Sequence, residues 1–242
     1  MKSYRKSHLD KNKAYSYHQQ FLKNRYRAMI WSKEKKILYE ILKKKIKKNN
    51  NTYLDFACGT GRILVFLSKY IKRSTGIDIS KNMLQITKQS VPNSVCLKYG
   101  DITKNDILGE NCYDLITVFR FFSNAEISLR KETMKVLVRH LKKDGIIIFN
   151  NHKNHSSILY TLARVFRRKN SMYTMKHSEV KSLCEDFGLK IVKTYSIGIF
   201  PSFDNLILLP IFLLSPLETV LSKIKFLKFL AFNIIYVCKL KE

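Results

Sequence analysis

The sequence is poor in glycine, proline and acidic residues, and each shortage excludes a class of protein. Eight glycines and four prolines in 242 residues exclude a collagen-like or linker-like chain. The five cysteines form no CxxC pair, which disfavours a disulfide framework or a four-thiolate zinc site and favours a reducing compartment. No run reaches the ~18 to 20 apolar residues needed to cross a bilayer, and the first twenty residues hold no signal-peptide core. We therefore expect a cytoplasmic protein and leave contact with a membrane surface open.

The shortage of acids leaves a strongly basic chain. Lys and Arg number 45 against 18 Asp and Glu, a formal charge of +27, and residues 1–50 alone carry 16 basic and 3 acidic residues. Such a charge attracts anionic membranes, lipid-linked or phosphorylated substrates, and nucleic acid. A coding composition rich in Lys, Ile and Asn would produce the same charge without any partner. The 45% hydrophobic content excludes a disordered chain.

Short apolar runs alternate with helical patterns along most of the chain. Helical spacing of apolar residues predicts a helix over 31–46, with its stripe formed by Ile37, Leu38, Ile41, Leu42 and Ile46. Further helices are predicted from the turn after residue 61 to about 70, and over 81–89, 129–141 and 178–187. Strands are predicted over 52–56, 74–79, 95–99, 113–119, 145–150, 189–199 and 233–240. This alternation is typical of an α/β fold with a mostly parallel, seven-stranded, doubly wound sheet covered on both faces.

A single domain is expected, because we find no internal repeat and no low-complexity linker. Residues 1–50 form a basic helical cap, residues 51–160 the core, and residues 201–232 a hydrophobic insertion before the last strand.

Residues 53–62, YLDFACGTGR, are the most informative stretch. A strand ends near Asp55, and a turn with small residues at Ala57, Gly59 and Gly61 leads into a helix. Small residues let a ligand approach the backbone, and glycine tolerates a positive φ. The spacing matches neither GxGxxG nor the P-loop GxxxxGK[ST].

Two more acids follow at the ends of the next two predicted strands. Asp78 lies in GIDIS, where a carboxylate can accept both hydroxyls of a ribose. Asp101 lies in YGDI, where an acid can meet the exocyclic amine of an adenine.

Five segments in this order resemble the motifs of class I S-adenosylmethionine-dependent methyltransferases, of the small-molecule, UbiE-like type. They are DFACGTGR, GIDIS with NML behind it, YGDI, YDLITVFRFFSN and LKKDGIIIF. The resemblance covers roughly residues 50–150 and implies a Rossmann-like fold. Many members carry glycine where this chain has Ala57, and alanine is a common variant there.

The resemblance implies S-adenosylmethionine as cofactor, S-adenosylhomocysteine as product, and no metal. Asp55 would lie near the methionine end, Asp78 at the ribose and Asp101 at the adenine amine. Phe119 and Arg120 would lie near the sulfonium and the acceptor. The implied cofactor-binding residues are Asp55, Ala57, Gly59, Gly61, Asp78, Ile79, Met83, Asp101, Ile102, Phe119 and Arg120.

The end of the fourth strand and the loop after the fifth bear on the acceptor. The run FRFFSN at 119–124 lacks the [N/D]PP[Y/F/W] turn of enzymes that methylate adenine amines or glutamine side chains. The run NNHKNH at 150–155 places two histidines where the reaction site is expected. A hydroxyl acceptor needs a base, so His152 or His155 is the candidate general base; both are alternatively polar loop residues.

The insertion at 201–232 combines an apolar run, 206–214, with a helix-like stretch that Pro216 opens and that carries Lys223, Lys225 and Lys228. It is interpreted as a membrane-surface element, as a lid over an apolar substrate, or as a cover for the sheet edge. The N-terminal aromatics are cap residues or simple packing residues: Tyr15, Tyr17, Phe21 and Tyr26.

Three hypotheses for the function remain open. The leading one is methyl transfer to an oxygen or nitrogen of a small molecule, namely a sugar, a lipid-linked molecule or a secondary metabolite. The second is methylation of RNA. The third is a non-catalytic, membrane-associated module that keeps the cofactor fold. None of them requires an obligate protein partner.

Overall fold

A computed structural model of the chain describes residues 4–5, 24–45, 51–166, 174–202 and 208–241. Its centre is a seven-stranded sheet. The strands are β1 (Thr52–Phe56), β2 (Arg73–Asp78), β3 (Cys96–Tyr99), β4 (Tyr113–Val118), β5 (Leu141–Asn151), β6 (Leu189–Ile197) and β7 (Asn233–Leu240).

The strand order across the sheet is β3-β2-β1-β4-β5-β7-β6. Strands β1 to β5 pair in parallel, whereas β7 runs antiparallel to both β5 and β6. The chain leaves β1 towards β2 and β3 and later returns to β4 on the other side. This reversal opens a crevice outside the carboxyl ends of the strands, where α/β sheets bind ligands. The expected mostly parallel, doubly wound sheet is confirmed.

Helices cover both faces of the sheet. They are α1 (Arg25–Lys45), α2 (Arg62–Leu67), α3 (Lys81–Lys88), α4 (Ile127–His140), α5 (Ile158–Phe166), α6 (His177–Asp186) and α7 (Ile211–Leu221), with 3-10 turns at Phe122–Asn124 and Phe226–Leu230.

Two apolar cores lie on opposite faces of the sheet. Successive strand residues point to opposite faces, so Tyr53 and Leu115 enter one core and Leu54 and Ile116 enter the other. All four are buried. A sheet buried on both sides explains why its strands appear in the sequence as continuous apolar runs.

Helix α1 begins at Arg25, six residues before the expected start at 31. The stripe extends backwards because Tyr26, Met29 and Ile30 are also buried. Of the expected stripe, Leu38, Ile41 and Leu42 are buried. Ile46 and the aromatics Tyr15, Tyr17 and Phe21 lie outside the described residues.

Two further boundaries differ from expectation. Strand β5 begins at Leu141 rather than at 145, because Leu141 already pairs with Tyr113 before a register shift. Helix α5 was not expected. The residue that could have predicted its start is Ser157, whose hydroxyl accepts the Tyr160 N–H at 3.1 Å, as an N-cap residue does.

The insertion before β7 is helical, as expected, but Pro216 lies inside α7 instead of opening a helix. Pro210 precedes the first turn of α7, where a missing N–H is tolerated. Residues 203–207, which include the start of the expected apolar run, lie outside the described residues. None of the described helices is both long enough and apolar enough to span a bilayer.

A buried polar network ties α1 to the centre of the sheet. Glu34 is fully buried; its carboxylate pairs with Arg62 and accepts the Asn233 side-chain N–H at 2.9 Å. Asn233 in turn accepts an N–H from Asn150 at 2.9 Å, and Asn150 accepts the Arg120 backbone N–H at 2.6 Å. One carboxylate therefore links α1 and α2 to the ends of β4 and β5.

We expect Glu34→Ala to lower the free energy of unfolding by about 3 kcal/mol, because it removes the carboxylate of a buried ion pair. Urea unfolding followed by circular dichroism measures this loss.

The matched control is Glu40→Ala, which removes an exposed acid from the same helix and should change stability by less than about 0.5 kcal/mol. Equal stabilities of the two variants would contradict the role assigned to the network.

Candidate functional site

The loop between β1 and α2 has the left-handed backbone that its two glycines allow, and Ala57 adopts this conformation as well. The φ angles are +52° at Ala57, +57° at Gly59 and +80° at Gly61. A side chain at Gly61 would place its Cβ 2.6 Å from Thr87, so this position requires glycine. At Gly59 a Cβ would meet no atom within 4 Å. The loop thus packs tightly at Gly61 and presents open space beside Gly59.

Asp78 holds this loop from the end of β2. One carboxylate oxygen accepts the Gly59 N–H and the other the Ser80 N–H, both at 2.8 Å. Burial raises the pKa of Asp78, while these backbone donors lower it and leave a net upward shift. The carboxylate therefore joins the β1–α2 loop to the first turn of α3.

Asp101 follows β3 and is bonded on both oxygens. One oxygen accepts the hydroxyl and the backbone N–H of Thr103, at 2.6 and 3.1 Å. The other accepts the Arg5 guanidinium at 2.6 Å. Burial raises the pKa of Asp101, but the bonds from Thr103 and Arg5 outweigh burial and hold it below its usual value.

A cleft that opens to solvent lies between these acids; the space within it, open solvent included, is about 440 Å³. Its walls come from the ends of β1, β2 and β3, from the turn after β4, and from the N-terminal residues. The lining residues are Tyr4, Arg5, Phe56, Ala57, Ile77, Asp78, Ile79, Gly100, Asp101, Thr103, Phe121 and Leu129.

Tyr4 and Arg5 are site residues that sequence reasoning missed. The Tyr4 backbone N–H donates to Glu126 at 2.8 Å, and its ring packs edge-on against Phe121 with ring centroids 4.9 Å apart. Arg5 also reaches Thr103 at 2.7 Å. No local pattern could reveal a contact between residues 5 and 101, because 96 positions separate them.

Asp55 lies in the interior of the sheet. It accepts the Thr117 hydroxyl at 2.6 Å, and Thr117 also bonds the Tyr53 hydroxyl at 2.7 Å. Burial raises the pKa of Asp55 to about 7, although Thr117, the Leu64 N–H and the charge of Arg62 act in the opposite direction.

The other expected cofactor residues lie at the same sheet edge but differ in burial. Ile79 lines the cleft. Met83, Ile102 and Phe119 are buried and do not line it. Arg120 follows β4 with φ +58°, a left-handed conformation fixed by the bond from its N–H to Asn150.

The two candidate histidines have different surroundings. His152 is 6% exposed, and its Nδ1 lies 2.8 Å from the Ser123 hydroxyl. Burial lowers the pKa of His152 well below 6.5, and so do the charges of Arg120, Lys153, Arg62 and Arg27. His155 is half-buried, and its Nδ1 faces the Thr174 hydroxyl at 3.1 Å. Only His152 is joined to the turn after β4, so the structure separates the two candidates.

Among the described residues, no group of three His, Cys, Asp or Glu side chains is arranged to hold a metal ion.

Comparison with known proteins agrees with this geometry. The sheet order and the acids at successive strand ends define a class I methyltransferase fold. Residues 54–149 match the family model of the methyltransferase domain. Residues 54–149 thus carry a methyltransferase domain, and the chain has the fold of the class I S-adenosylmethionine-dependent methyltransferases.

Two sequence relatives and one solved structure illustrate the likeness. A Geobacillus protein provisionally named a methyltransferase is 26% identical over 141 residues, 57% of this chain and 54% of that protein. The Campylobacter jejuni ubiquinone/menaquinone biosynthesis C-methyltransferase UbiE is 28% identical over 129 residues, 50% of this chain and 51% of that protein. A Thermotoga maritima S-adenosylmethionine-dependent methyltransferase superposes with a TM-score of 0.67 at 15% identity, over 97% of this chain and 99% of that one. The chain spans about half the length of the sequence relatives it matches.

The buried carboxyl of Asp55 predicts a pH dependence of stability. Its folded-state pKa is raised from 3.8 to about 7, so between these values the native state keeps a proton that the unfolded state has released. The free energy of unfolding should therefore fall as pH rises through this window, by up to about 1.4 kcal/mol per pH unit, relative to Asp55→Asn.

Urea unfolding at a series of pH values without cofactor measures the difference between the two proteins. Asp144→Asn, at an exposed acid, controls for the loss of one negative charge. Parallel stability curves for wild type and Asp55→Asn would show that Asp55 is ionised throughout.

Proposed function

We propose that this protein transfers a methyl group from S-adenosylmethionine to an oxygen or nitrogen of a small-molecule acceptor, and that it releases S-adenosylhomocysteine. The acceptor is a sugar, a lipid-linked molecule or a secondary metabolite. The observation that carries the proposal is the cleft lined by Ala57, Asp78 and Asp101, in which Asp78 also accepts the N–H of the neighbouring Gly59. The cofactor supplies an activated methyl group, and the protein binds and orients the acceptor against it.

The described residues fit an adenosyl group. A carboxylate offers about four acceptor positions. Asp78 uses two of them for Gly59 and Ser80, which leaves acceptor capacity for the two ribose hydroxyls. Asp101 uses three for Thr103 and Arg5, which leaves one for the adenine amine. The space beside Gly59 lets a ligand approach the main chain.

The remaining assignments follow from position at the same edge. The backbone at Ala57 and Gly61 shapes the loop around the methionine and ribose. Ile79 and Met83 would pack on the adenine, with Ile102 beside the ring. Phe119 and Arg120 follow β4, where the order of the strands reverses, and would lie near the sulfonium. The Asp55 carboxyl is bonded to Thr117 in the interior of the sheet, and from there Asp55 would shape the methionine end of the site.

Asp78→Ala should weaken binding of S-adenosylhomocysteine at least about tenfold, because a hydrogen bond to a charged group contributes about 1.5 to 3 kcal/mol. Isothermal calorimetry measures the change.

Asp78 also holds the β1–α2 loop, so Asp78→Ala could change folding as well as binding. Asp78→Asn keeps one acceptor oxygen and therefore separates the two effects. Asp144→Ala serves as the control at an exposed acid. A folded Asp78→Ala protein with unchanged affinity would remove the ribose assignment.

His152 is our candidate for the general base. Its lowered pKa keeps the imidazole unprotonated at neutral pH, in the form that accepts a proton. The Ser123 hydroxyl at its Nδ1 fixes the orientation of the ring. His155 is the weaker candidate, because its contacts with Thr174 and Tyr160 support a role in ordering the loop after β5.

Two observations favour a small-molecule acceptor. The run 119–124 has no proline-containing turn of the type that binds adenine amines or glutamine amides. The UbiE relative is named a C-methyltransferase of ubiquinone and menaquinone biosynthesis, which supports the class of acceptor but not the atom that is methylated. Methylation of RNA is the second candidate, because 13 net positive charges fall in residues 1–50 and would bind phosphates.

The proposal is tested by incubating the protein with methyl-labelled S-adenosylmethionine and a fractionated cell extract. We expect label in the small-molecule or lipid fraction. His152→Ala should reduce incorporation at least about 100-fold, the usual contribution of general acid–base catalysis, while the affinity for S-adenosylhomocysteine stays within about twofold.

His155→Ala is the matched control and should retain most of the turnover. Label confined to RNA, together with steeply salt-dependent binding of tRNA, would replace the small-molecule proposal. Incorporation into no fraction would favour the non-catalytic module.

A further inference from the structure

Helix α7 exposes an apolar face to solvent. Its inner side buries Leu214 and Glu218, which are one turn apart. On the opposite side Phe212 is 74% exposed, Val220 59% and Leu213 49%. We call these three residues, with the exposed Pro216 between them, the outer face of α7. A surface helix normally places polar residues on this side.

The orientation of α7 is fixed by polar contacts on its inner side. The buried Glu218 carboxylate accepts three backbone N–H groups at the end of β6, from Gly198 at 3.0 Å, Ile199 at 3.1 Å and Phe200 at 2.6 Å. Lys33 of α1 donates to the Ser215 carbonyl at 2.8 Å. The helix cannot roll its outer face inwards without breaking these bonds.

The segment after α7 adds a large exposed apolar side chain and positive charge. Phe226, in the 3-10 turn, is 74% exposed. Lys223 and Lys225 are exposed and Lys228 is half-buried. Exposed aromatic and aliphatic residues near lysines are typical of protein elements that lie in a membrane interface, and here the lysines follow α7 instead of lying on it.

We propose that the outer face of α7, together with Phe226, docks on the surface of an anionic lipid bilayer with α7 lying in the membrane plane. The lysines would pair with lipid phosphates while Phe212, Val220 and Phe226 enter the boundary of the acyl chains. The proposal goes beyond methyl transfer, since docking requires neither cofactor nor acceptor.

The net charge of the chain favours a bilayer over another copy of this chain as the partner of the outer face of α7. Two chains that each carry a formal charge of +27 repel one another, whereas an anionic surface attracts them. A lid over the acceptor would turn its apolar residues towards the protein. Here the outer face of α7 points to solvent and its inner face is held by Glu218.

The test is cosedimentation of the full chain with vesicles of phosphatidylcholine alone and of phosphatidylcholine mixed with phosphatidylglycerol. We expect binding at least about tenfold tighter to the anionic vesicles, since each lysine near such a surface contributes roughly a fivefold gain. The double variant Phe212→Ser, Val220→Ser should lose at least about tenfold in affinity, because its apolar side chains no longer enter the bilayer.

The triple variant Lys223→Glu, Lys225→Glu, Lys228→Glu should lose the preference for anionic lipid. Ile127→Ser, at another residue that is 65% exposed, is the matched control and should bind like the wild type. All substituted apolar residues are exposed, and thermal unfolding verifies that each variant is folded.

Equal binding of the wild type, the double variant and the triple variant to anionic vesicles would overturn the proposal. So would sedimentation velocity that shows a wild-type dimer and a monomeric double variant, which would assign the outer face of α7 to a second copy of the chain.

Discussion

The cleft depends on one carboxylate that receives two backbone amides. Asp78 accepts the N–H of Gly59 from one loop and of Ser80 from the next. The positions of β1 and β2 therefore determine the shape of the cleft between them. Parallel pairing brings these strand ends to the same edge, and the left-handed residues of the first loop turn the main chain towards the space. Elsewhere the sheet is held mainly by apolar packing, whereas here charge and backbone geometry combine.

A second set of polar contacts connects distant parts of the chain to the same edge. Glu34 brings α1 to Arg62 and Asn233, and through Asn150 the connection reaches Arg120. These groups are costly to bury singly and stabilising only as a complete network. The geometry at the ends of β4 and β5 therefore depends on the position of α1.

The sheet, the loop and the acids could be predicted because each leaves a local pattern. Buried parallel strands appear as apolar runs, and Ala57, Gly59 and Gly61 reflect backbone angles that larger residues rarely adopt. Tyr4 and Arg5 could not be predicted, because their contacts join segments far apart in sequence. The burial of Asp55 could not be predicted from the sequence either. An acid near the end of a strand has the same sequence pattern whether it faces a ligand or Thr117.

The contact between Arg5 and Asp101 has a practical consequence for handling the protein. An affinity tag fused ahead of Tyr4 would begin within a few residues of the cleft and could displace the guanidinium from the acid. Strand β7 runs antiparallel to β5, so Leu240 emerges at the opposite edge of the sheet. A tag attached beyond that strand would leave the cleft undisturbed, and ligand titrations on such a fusion would report the cleft itself.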